Sequence, residues 1–151
     1  MIIEIDQSGK VEETAKDTVV AFADTRGFKR SVKISAREKR ALQKFFRKLG
    51  KPRFYTYKVF AVLVFILIQD YLSKLDRIVI DPEYPGYEEL LRNLIFELIK
   101  TKDNQFERKN ITFKQIGKKA GAHVIAYKTF RRKQKAHQIV TVKDVLRIIA
   151  K

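Results

Sequence analysis

The feature that most constrains the fold of this chain is a long apolar segment near its middle. Residues 54–74 have the sequence FYTYKVFAVLVFILIQDYLSK, and no charged residue interrupts the run from Val59 to Gln69. A helix that spans a membrane needs roughly 20 apolar residues, so this uncharged run is too short for one. The segment is therefore predicted to form a helix over 55–73 that is buried inside a globular protein.

Length and composition agree with a globular protein. The 151 residues are 45% hydrophobic and 33% charged, which predicts a single domain over residues 1–151. The chain has no cysteine, which excludes disulfides, thiolate zinc sites and a cysteine nucleophile. The start MIIEIDQSGK lacks the pattern of a secretory signal, so a cytoplasmic location is expected. The many Lys, Arg, Ile and Val residues, without Cys or Trp, suit a thermophile.

The net charge of +16 is the strongest signal in the composition, and it is unevenly distributed. Residues 28–58 contain twelve Lys or Arg and one acid, and residues 114–135 contain eight Lys or Arg and no acid. Such basic segments attract polyanions through counterion release, and both also carry aromatic residues that can stack on bases. The predicted partner is therefore nucleic acid, either DNA or RNA, and no amphipathic anchor favours a membrane.

The side chains expected to hold the nucleic-acid backbone belong to these two basic segments. They would contact phosphates, mostly without recognising bases. An alternative interpretation is a solvated surface that only keeps a basic protein soluble. The predicted set comprises Lys29, Arg30, Arg37, Arg40, Lys44, Arg47, Lys51, Arg53, Lys118, Lys119, Lys128, Arg131, Arg132 and Lys133.

Patterns typical of strands and helices alternate along the chain. Three β-rich runs, 2–6, 18–25 and 28–34, are joined by turn-prone residues and predict an antiparallel meander. Two later strands, within 76–81 and 110–116, are separated by helical patterns, and such strands run parallel. The predicted fold class is α/β. Its sheet is mixed and five-stranded, with three antiparallel strands and then two parallel ones, flanked by helices.

The predicted helices have recognisable start signals or periodicity. Ser35 and Glu38 form a capping-box pattern at the start of the first helix. Apolar residues recur at helical spacing over 87–102, which predicts an amphipathic helix. A basic helix is expected to begin near Ala120, and Thr141 opens a capping pattern for a short helix at the end of the chain.

Two of the predicted strands end on an aspartate. Asp6 closes the first strand, and Asp81 closes the fourth. If these strands lie side by side and run parallel, both carboxylates reach the edge where open α/β sheets usually place their sites. Close carboxylates repel each other, and Mg²⁺ or Mn²⁺ between them would relieve that repulsion. The alternative for each residue is a structural role in capping the turn that follows it.

The stretches IEIDQSG and RIVID, which contain Asp6 and Asp81, resemble the ribonuclease H-like superfamily of nucleases, resolvases and integrases. The resemblance implies hydrolysis of phosphodiester bonds with two Mg²⁺ or Mn²⁺ ions. It also implies a further metal ligand on a late helix, where the stretch AHVIAYK places His123, with Ala126 in the accompanying small position. A fourth carboxylate would come from the first helix, where Glu38 is the only acid.

Several residues, and the function itself, have alternative interpretations. Glu88 and Glu89 could replace Glu38, although the helix dipole also explains acids at a helix start. His123 has a second interpretation as a surface histidine. The protein as a whole could instead be a nucleic-acid-binding protein with a degenerate site, or a structural or partner-binding protein. The oligomeric state is also open, with a homodimer as one alternative.

Other classes of enzyme lack their sequence fingerprints in this chain. It contains no GxxxxGK[ST] phosphate loop, no GxGxxG motif and no HExxH motif. P-loop nucleotide hydrolysis, dinucleotide redox chemistry and zincin proteolysis are therefore not indicated. A metal-dependent nuclease is the function that the sequence favours.

Overall fold

A six-stranded mixed sheet forms the centre of the protein. The computed structural model describes residues 1–118 and 120–150, and all strand and helix counts refer to these residues. The strands lie in the order β5-β4-β1-β2-β3-β6. Their bounds are β1 Ile2–Ser8, β2 Thr18–Asp24, β3 Lys29–Ile34, β4 Arg77–Ile80, β5 Ile111–Phe113 and β6 Gln138–Val140.

The first five strands pair in the predicted directions, antiparallel or parallel. Strands β1, β2 and β3 pair antiparallel, which confirms the meander. Strand β4 lies beside β1 and runs parallel to it, with Ile5 opposite Ile80, and β5 continues the parallel arrangement. The predicted α/β class and mixed sheet are therefore confirmed.

The sheet has one more strand than the five predicted. Strand β6 pairs parallel with β3, placing Val140 opposite Ile34. It has only three residues, and its central Ile139 is 59% exposed, so the segment has no strand-like alternation that its sequence could reveal. Pairing with β3 creates this strand, assisted by a hydrogen bond from the His137 N–H to the Ser31 carbonyl.

Five α-helices surround the sheet, close to the predicted positions. A 3-10 helix over Gln69–Lys74 continues the second helix, so the predicted segment 55–73 is α-helical only in its first part. The capping box between Thr141 and Asp144 is present at the start of the last helix. The helices are α1 Ala36–Lys48, α2 Phe54–Ile68, α3 Glu88–Lys100, α4 Gly121–Phe130 and α5 Val142–Ile149.

The two faces of the sheet are covered differently. On one face, Val20 and Phe22 of β2 join the main core, which contains buried residues of α1, α2, α3 and α5. On the other face, Val19 and Ala21 pack against Ile125 of α4. The segment Phe54–Lys74 is long and apolar enough to cross a membrane, but 61% of its most apolar part is buried in this protein. The prediction of a buried helix is confirmed.

A fully buried lysine ties α1 to the loop that follows β1. The Lys39 ammonium donates hydrogen bonds to the carbonyls of Lys10 and Glu13 and to the hydroxyl of Thr18, at 2.8–3.1 Å. Burial lowers the pKa of Lys39 to about 8. Because three acceptors replace its lost water, this charge can remain inside the protein. The bonds fix the chain directly after the strand that carries Asp6.

The same loop depends on Gly9 for its conformation. Gly9 has φ +80°, and an added Cβ would lie 2.1 Å from the Asp17 carbonyl oxygen. We expect Gly9→Ala to lower the free energy of unfolding, measured in urea, by more than the roughly 1–2 kcal/mol that left-handed strain alone costs. Gly50→Ala is the matched control, because Gly50 has φ +74° but no atom within 4 Å of the added Cβ. Equal losses in the two variants would contradict this explanation.

Candidate metal centre

Asp6 lies inside β1, on the sheet face that α4 covers. The sequence predicts a strand that ends at Asp6, but β1 continues to Ser8, and Asp6 pairs opposite Ala21 of β2. Its side chain is only 4% exposed. The Asp6 Oδ1 atom accepts a hydrogen bond from the Gln7 N–H at 2.8 Å. The strand therefore holds this carboxylate in a defined orientation.

Asp81 follows β4 directly, and the sheet places it beside Asp6. The Asp81 N–H donates to the Ile5 carbonyl at 3.0 Å, which extends the β1–β4 ladder by one bond. The Asp81 Oδ1 atom accepts a hydrogen bond from the Ile116 N–H, also at 3.0 Å. The two predicted aspartates are thus brought together at the C-terminal end of β4.

A third carboxylate, which was not predicted from the sequence, completes an acidic group. Carboxylate oxygens of Asp6, Asp81 and Glu83 all lie within 4.8 Å of one another. Glu83 stands two residues after Asp81, in the turn PEYPG. The spacing Asp-Pro-Glu after a strand was the available signal, but the turn residues around Glu83 obscured it.

Tyr84 fixes the turn that carries Glu83. Its ring is buried, and its hydroxyl accepts hydrogen bonds from the Gln7 side-chain amide at 3.0 Å and from the Val11 N–H at 3.3 Å. Gln7 is the neighbour of Asp6 in β1. The strand that positions Asp6 therefore also anchors the turn that positions Glu83.

The electrostatics of this group favour a cation. Burial raises the pKa of Glu83 to about 8, and the charges of Asp6 and Asp81 add to the shift. Three carboxylates in this space repel one another unless a proton or a cation neutralises them. A set of carboxylate oxygens fits a hard divalent cation such as Mg²⁺ or Mn²⁺.

His123 contacts the acidic group through Asp6. Its Nδ1 atom lies 2.7 Å from the Asp6 Oδ2 atom, and because a carboxylate accepts, Nδ1 is the donor. The ring also lies nearly parallel to the exposed ring of Tyr127, with the ring centres 6.5 Å apart. The structure therefore brings together Asp6, Asp81 and His123. The role of His123 as a metal ligand stays a prediction.

Small residues let α4 come close enough for this contact. Ala122 and Ala126 are buried against the sheet, and an added Cβ on Gly121 would lie 3.0 Å from the Ala23 Cβ. Larger side chains at these positions would push the helix away from the sheet. The small position that the ribonuclease H-like resemblance assigns to Ala126 thus has a packing reason in this fold.

Glu38, the predicted fourth carboxylate, is not brought to the acidic group. Its Oε2 atom accepts a hydrogen bond from the Val142 N–H at 3.1 Å, at the start of α5. Its own N–H donates to the Ser35 hydroxyl, so Ser35 caps α1 as predicted, but the Glu38 side chain does not complete the capping box. Of the two alternates, Glu89 forms ion pairs with Arg92 and Arg108.

Most of the predicted phosphate-binding residues are exposed. Arg30 is the exception among the described members, because it is partly buried and donates to the Gln138 side chain at 2.9 Å. Arg132 also pairs with Asp17 at 3.7 Å, and Lys119 lies outside the described residues. The exposed members are Lys29, Arg37, Arg40, Lys44, Arg47, Lys51, Arg53, Lys118, Lys128, Arg131, Arg132 and Lys133.

Part of this basic surface borders the acidic group. On α4, Tyr127 and Lys128 are exposed, one helical turn beyond His123. The Arg131 guanidinium lies 6.0 Å from the centre of the Tyr127 ring. A nucleic-acid backbone held along α4 would therefore pass close to the carboxylates.

Comparison of the chain with known protein-family models, curated proteins and solved structures gives no match.

The raised pKa of Glu83 gives a prediction about stability and pH. Its pKa in the folded protein, about 8, lies above the ordinary value of 4.5, so the stability that its proton provides is lost as pH rises between these values. In chelator at pH 8, Glu83→Gln should raise the free energy of unfolding by on the order of 1 kcal/mol, since solvent screens part of the repulsion.

The gain from Glu83→Gln should shrink at pH 5, where Glu83 is mostly protonated in the folded protein. Urea unfolding at the two pH values measures both effects. Glu97→Gln, which changes an exposed acid on α3, is the control and should give little change at either pH. A Glu83→Gln variant less stable than wild type at pH 8 would contradict the assignment.

Proposed function

We propose that this protein is a metal-dependent nuclease that hydrolyses phosphodiester bonds of DNA or RNA. The observation that carries the proposal is the group of Asp6, Asp81 and Glu83, with carboxylate oxygens within 4.8 Å, in a chain of net charge +16. The parallel pairing of β4 with β1 beside an antiparallel meander supports the resemblance to the ribonuclease H-like superfamily. A polyanionic substrate suits this combination, because the basic surface attracts it to a site that requires cations.

Asp6, Asp81 and Glu83 would hold Mg²⁺ or Mn²⁺, with His123 as a further ligand on the superfamily pattern. Two such ions, when bound, supply an activated water and stabilise the leaving oxygen of the phosphodiester. The protein itself orients the carboxylates that would bind these ions. Backbone N–H groups of Gln7 and Ile116 hold one oxygen of each aspartate, so the carboxylates need little rearrangement to bind.

Basic residues near the site would position the substrate. Lys128 of α4 and Arg131, the residue after α4, are exposed and close in sequence to His123, and they would contact phosphates near the bond to be cut. Helix α1 packs on the opposite face of the sheet from α4, so its exposed lysines and arginines would hold a different part of the nucleic acid. Because this binding depends on the charge of the nucleic-acid backbone, we expect little preference for base sequence.

A second candidate function is nucleic-acid binding without catalysis. The hydrogen bond from His123 to Asp6 favours it, because it satisfies an oxygen of Asp6 without any metal. In that case the acidic group would be a degenerate site, and the basic surface alone would bind nucleic acid.

Substitution of the aspartates separates the two functions. Wild type should cut at least one of branched DNA, single strands or RNA/DNA hybrids in Mg²⁺ or Mn²⁺, and Asp6→Asn and Asp81→Asn should lower that rate more than about a hundredfold. Gel assays of cleavage measure this. Both variants should still bind nucleic acid in chelator, because each removes a negative charge.

Glu97→Gln is the control for that experiment, since it neutralises an acid on the exposed side of α3 and should cut as wild type does. The nuclease assignment would be overturned if wild type cut none of these substrates. It would also be overturned if the two aspartate variants cut as fast as wild type.

The salt dependence of nucleic-acid binding measures the contribution of Lys128 and Arg131. For each phosphate contact removed, the slope of log K against log salt concentration should become shallower by about 0.9 for duplex DNA or about 0.7 for a single strand. We expect this change in Lys128→Ala and Arg131→Ala, measured by fluorescence anisotropy in chelator. Lys100→Ala, an exposed lysine outside the basic segments, is the control. An affinity that barely changes with salt would contradict a role for the basic surface.

A further inference from the structure

A chain of aromatic rings leads from the acidic group to the protein surface. Tyr84, next to Glu83, packs its ring edge-on against Tyr57 of α2, with the ring centres 5.9 Å apart. Tyr57 in turn stacks on Tyr87, with centres 4.3 Å apart and ring planes 17° from parallel. The turn that carries Glu83 thus connects directly to a pair of stacked tyrosines.

The outer end of this chain is open to solvent. Tyr87 is 45% exposed, and Phe54, at the start of α2, is 38% exposed. These rings border a cavity of about 410 Å³ where α2 and α3 begin. The cavity is lined by Arg53, Phe54, Thr56, Tyr57, Tyr87 and Leu90.

The chemistry of the cavity fits a nucleobase with its phosphate. Exposed aromatic faces stack on bases of any identity, and a guanidinium binds phosphate through paired hydrogen-bond donors. Among the described residues, Arg53 is the only charged one in the lining, and Lys51, two residues before it, is also exposed. Glu89, in the first turn of α3, is paired with Arg92 and Arg108, so little of its charge opposes a phosphate.

The form of the nucleic acid follows from the geometry of stacking. Bases in a duplex already stack on their neighbours and do not offer a face to a protein side chain, whereas bases in a single strand do. We propose that Tyr57, Tyr87, Phe54 and Arg53 form a stacking site for an unpaired base of a single-stranded nucleic acid that passes the acidic group. This inference rests on the proposed function, because it specifies the form of the substrate at the same site.

Binding of labelled oligonucleotides in chelator tests the stacking site without cleavage. The probes are a short single strand, the duplex of the same sequence, and a single strand with abasic sites that keeps its phosphates. We expect Tyr87→Ala to bind the normal single strand roughly five- to tenfold more weakly than wild type, and to bind the duplex and the abasic strand as wild type does. Tyr87→Phe, which keeps the ring, should bind like wild type.

Phe28→Ala is the control for loss of an exposed aromatic ring. Phe28 is 43% exposed and follows the β2–β3 turn, whose residues Asp24–Arg26 line a cavity with Met1 and Ile2 at the start of β1. This edge of the sheet is opposite to the acidic group, so the control should bind all three probes like wild type. Thermal unfolding of each variant, followed by circular dichroism, verifies that it is folded.

The outcomes separate this inference from the proposed function. If Tyr87→Ala binds all three probes like wild type while wild type cuts nucleic acid in Mn²⁺, only the stacking site is wrong. Equal weakening for the normal strand, the abasic strand and the duplex would also overturn it, because the effect would not depend on bases. If wild type binds no probe, the proposed function fails, and the stacking site fails with it.

Discussion

The structure depends on the parallel pairing of β4 with β1. The hydrogen bond from the Asp81 N–H to the Ile5 carbonyl continues this pairing beyond the last residue of β4 and sets Asp81 beside Asp6. A slip of one residue would turn Asp81 to the opposite face of the sheet, away from Asp6. Because register is fixed by buried residues such as Ile78 and Ile80, the core of the protein determines the geometry of its acidic group.

The same pairing explains the apolar helix. Strands β3 and β4 both run parallel to β1, so the chain must return across the protein between the end of β3 and the start of β4. Helix α2 makes this crossing with 15 residues, which corresponds to roughly 22 Å. It passes through the core, with every residue from Val59 to Ile68 buried, and therefore needs apolar side chains on all sides.

The acidic group lowers the local stability of the protein, because its carboxylates repel one another. Three carboxylates converge, and the fold restrains the two aspartates with backbone donors from Gln7 and Ile116 and with His123. Such unfavourable arrangements are typical of functional sites, where the surrounding structure maintains them. The buried Lys39 also helps to hold β1 in place, because it anchors the loop that follows this strand.

Features set by neighbouring residues could be predicted from the sequence, whereas most features set by distant contacts could not. The meander, the amphipathic α3 and the Thr141 capping box arise from local patterns. The placement of Asp6 beside Asp81 was also predictable, because crossover rules limit how strands separated by helices are arranged. By contrast, β6 exists only through pairing with β3, and the capping-box pattern gave no sign that Glu38 would bind Val142, 104 residues away.

Glu83 was missed because a turn residue has no periodicity to mark it. Its approach to the two aspartates depends on Tyr84, whose hydroxyl binds Gln7 on another strand. The superfamily resemblance, and with it the ligand role of His123, stays a prediction, because it rests on short motifs and on the order of the elements.

Anomalous X-ray diffraction from crystals of the protein grown with Mn²⁺ tests most directly the claim that Asp6 and Asp81 form a metal centre. The claim predicts an anomalous peak at about 2.0–2.2 Å from carboxylate oxygens of Asp6 and Asp81, which is the distance expected for a small divalent cation. The peak should be lost in crystals of Asp81→Asn. A structure at high Mn²⁺ concentration with no peak between these carboxylates would contradict the claim that they form a metal centre.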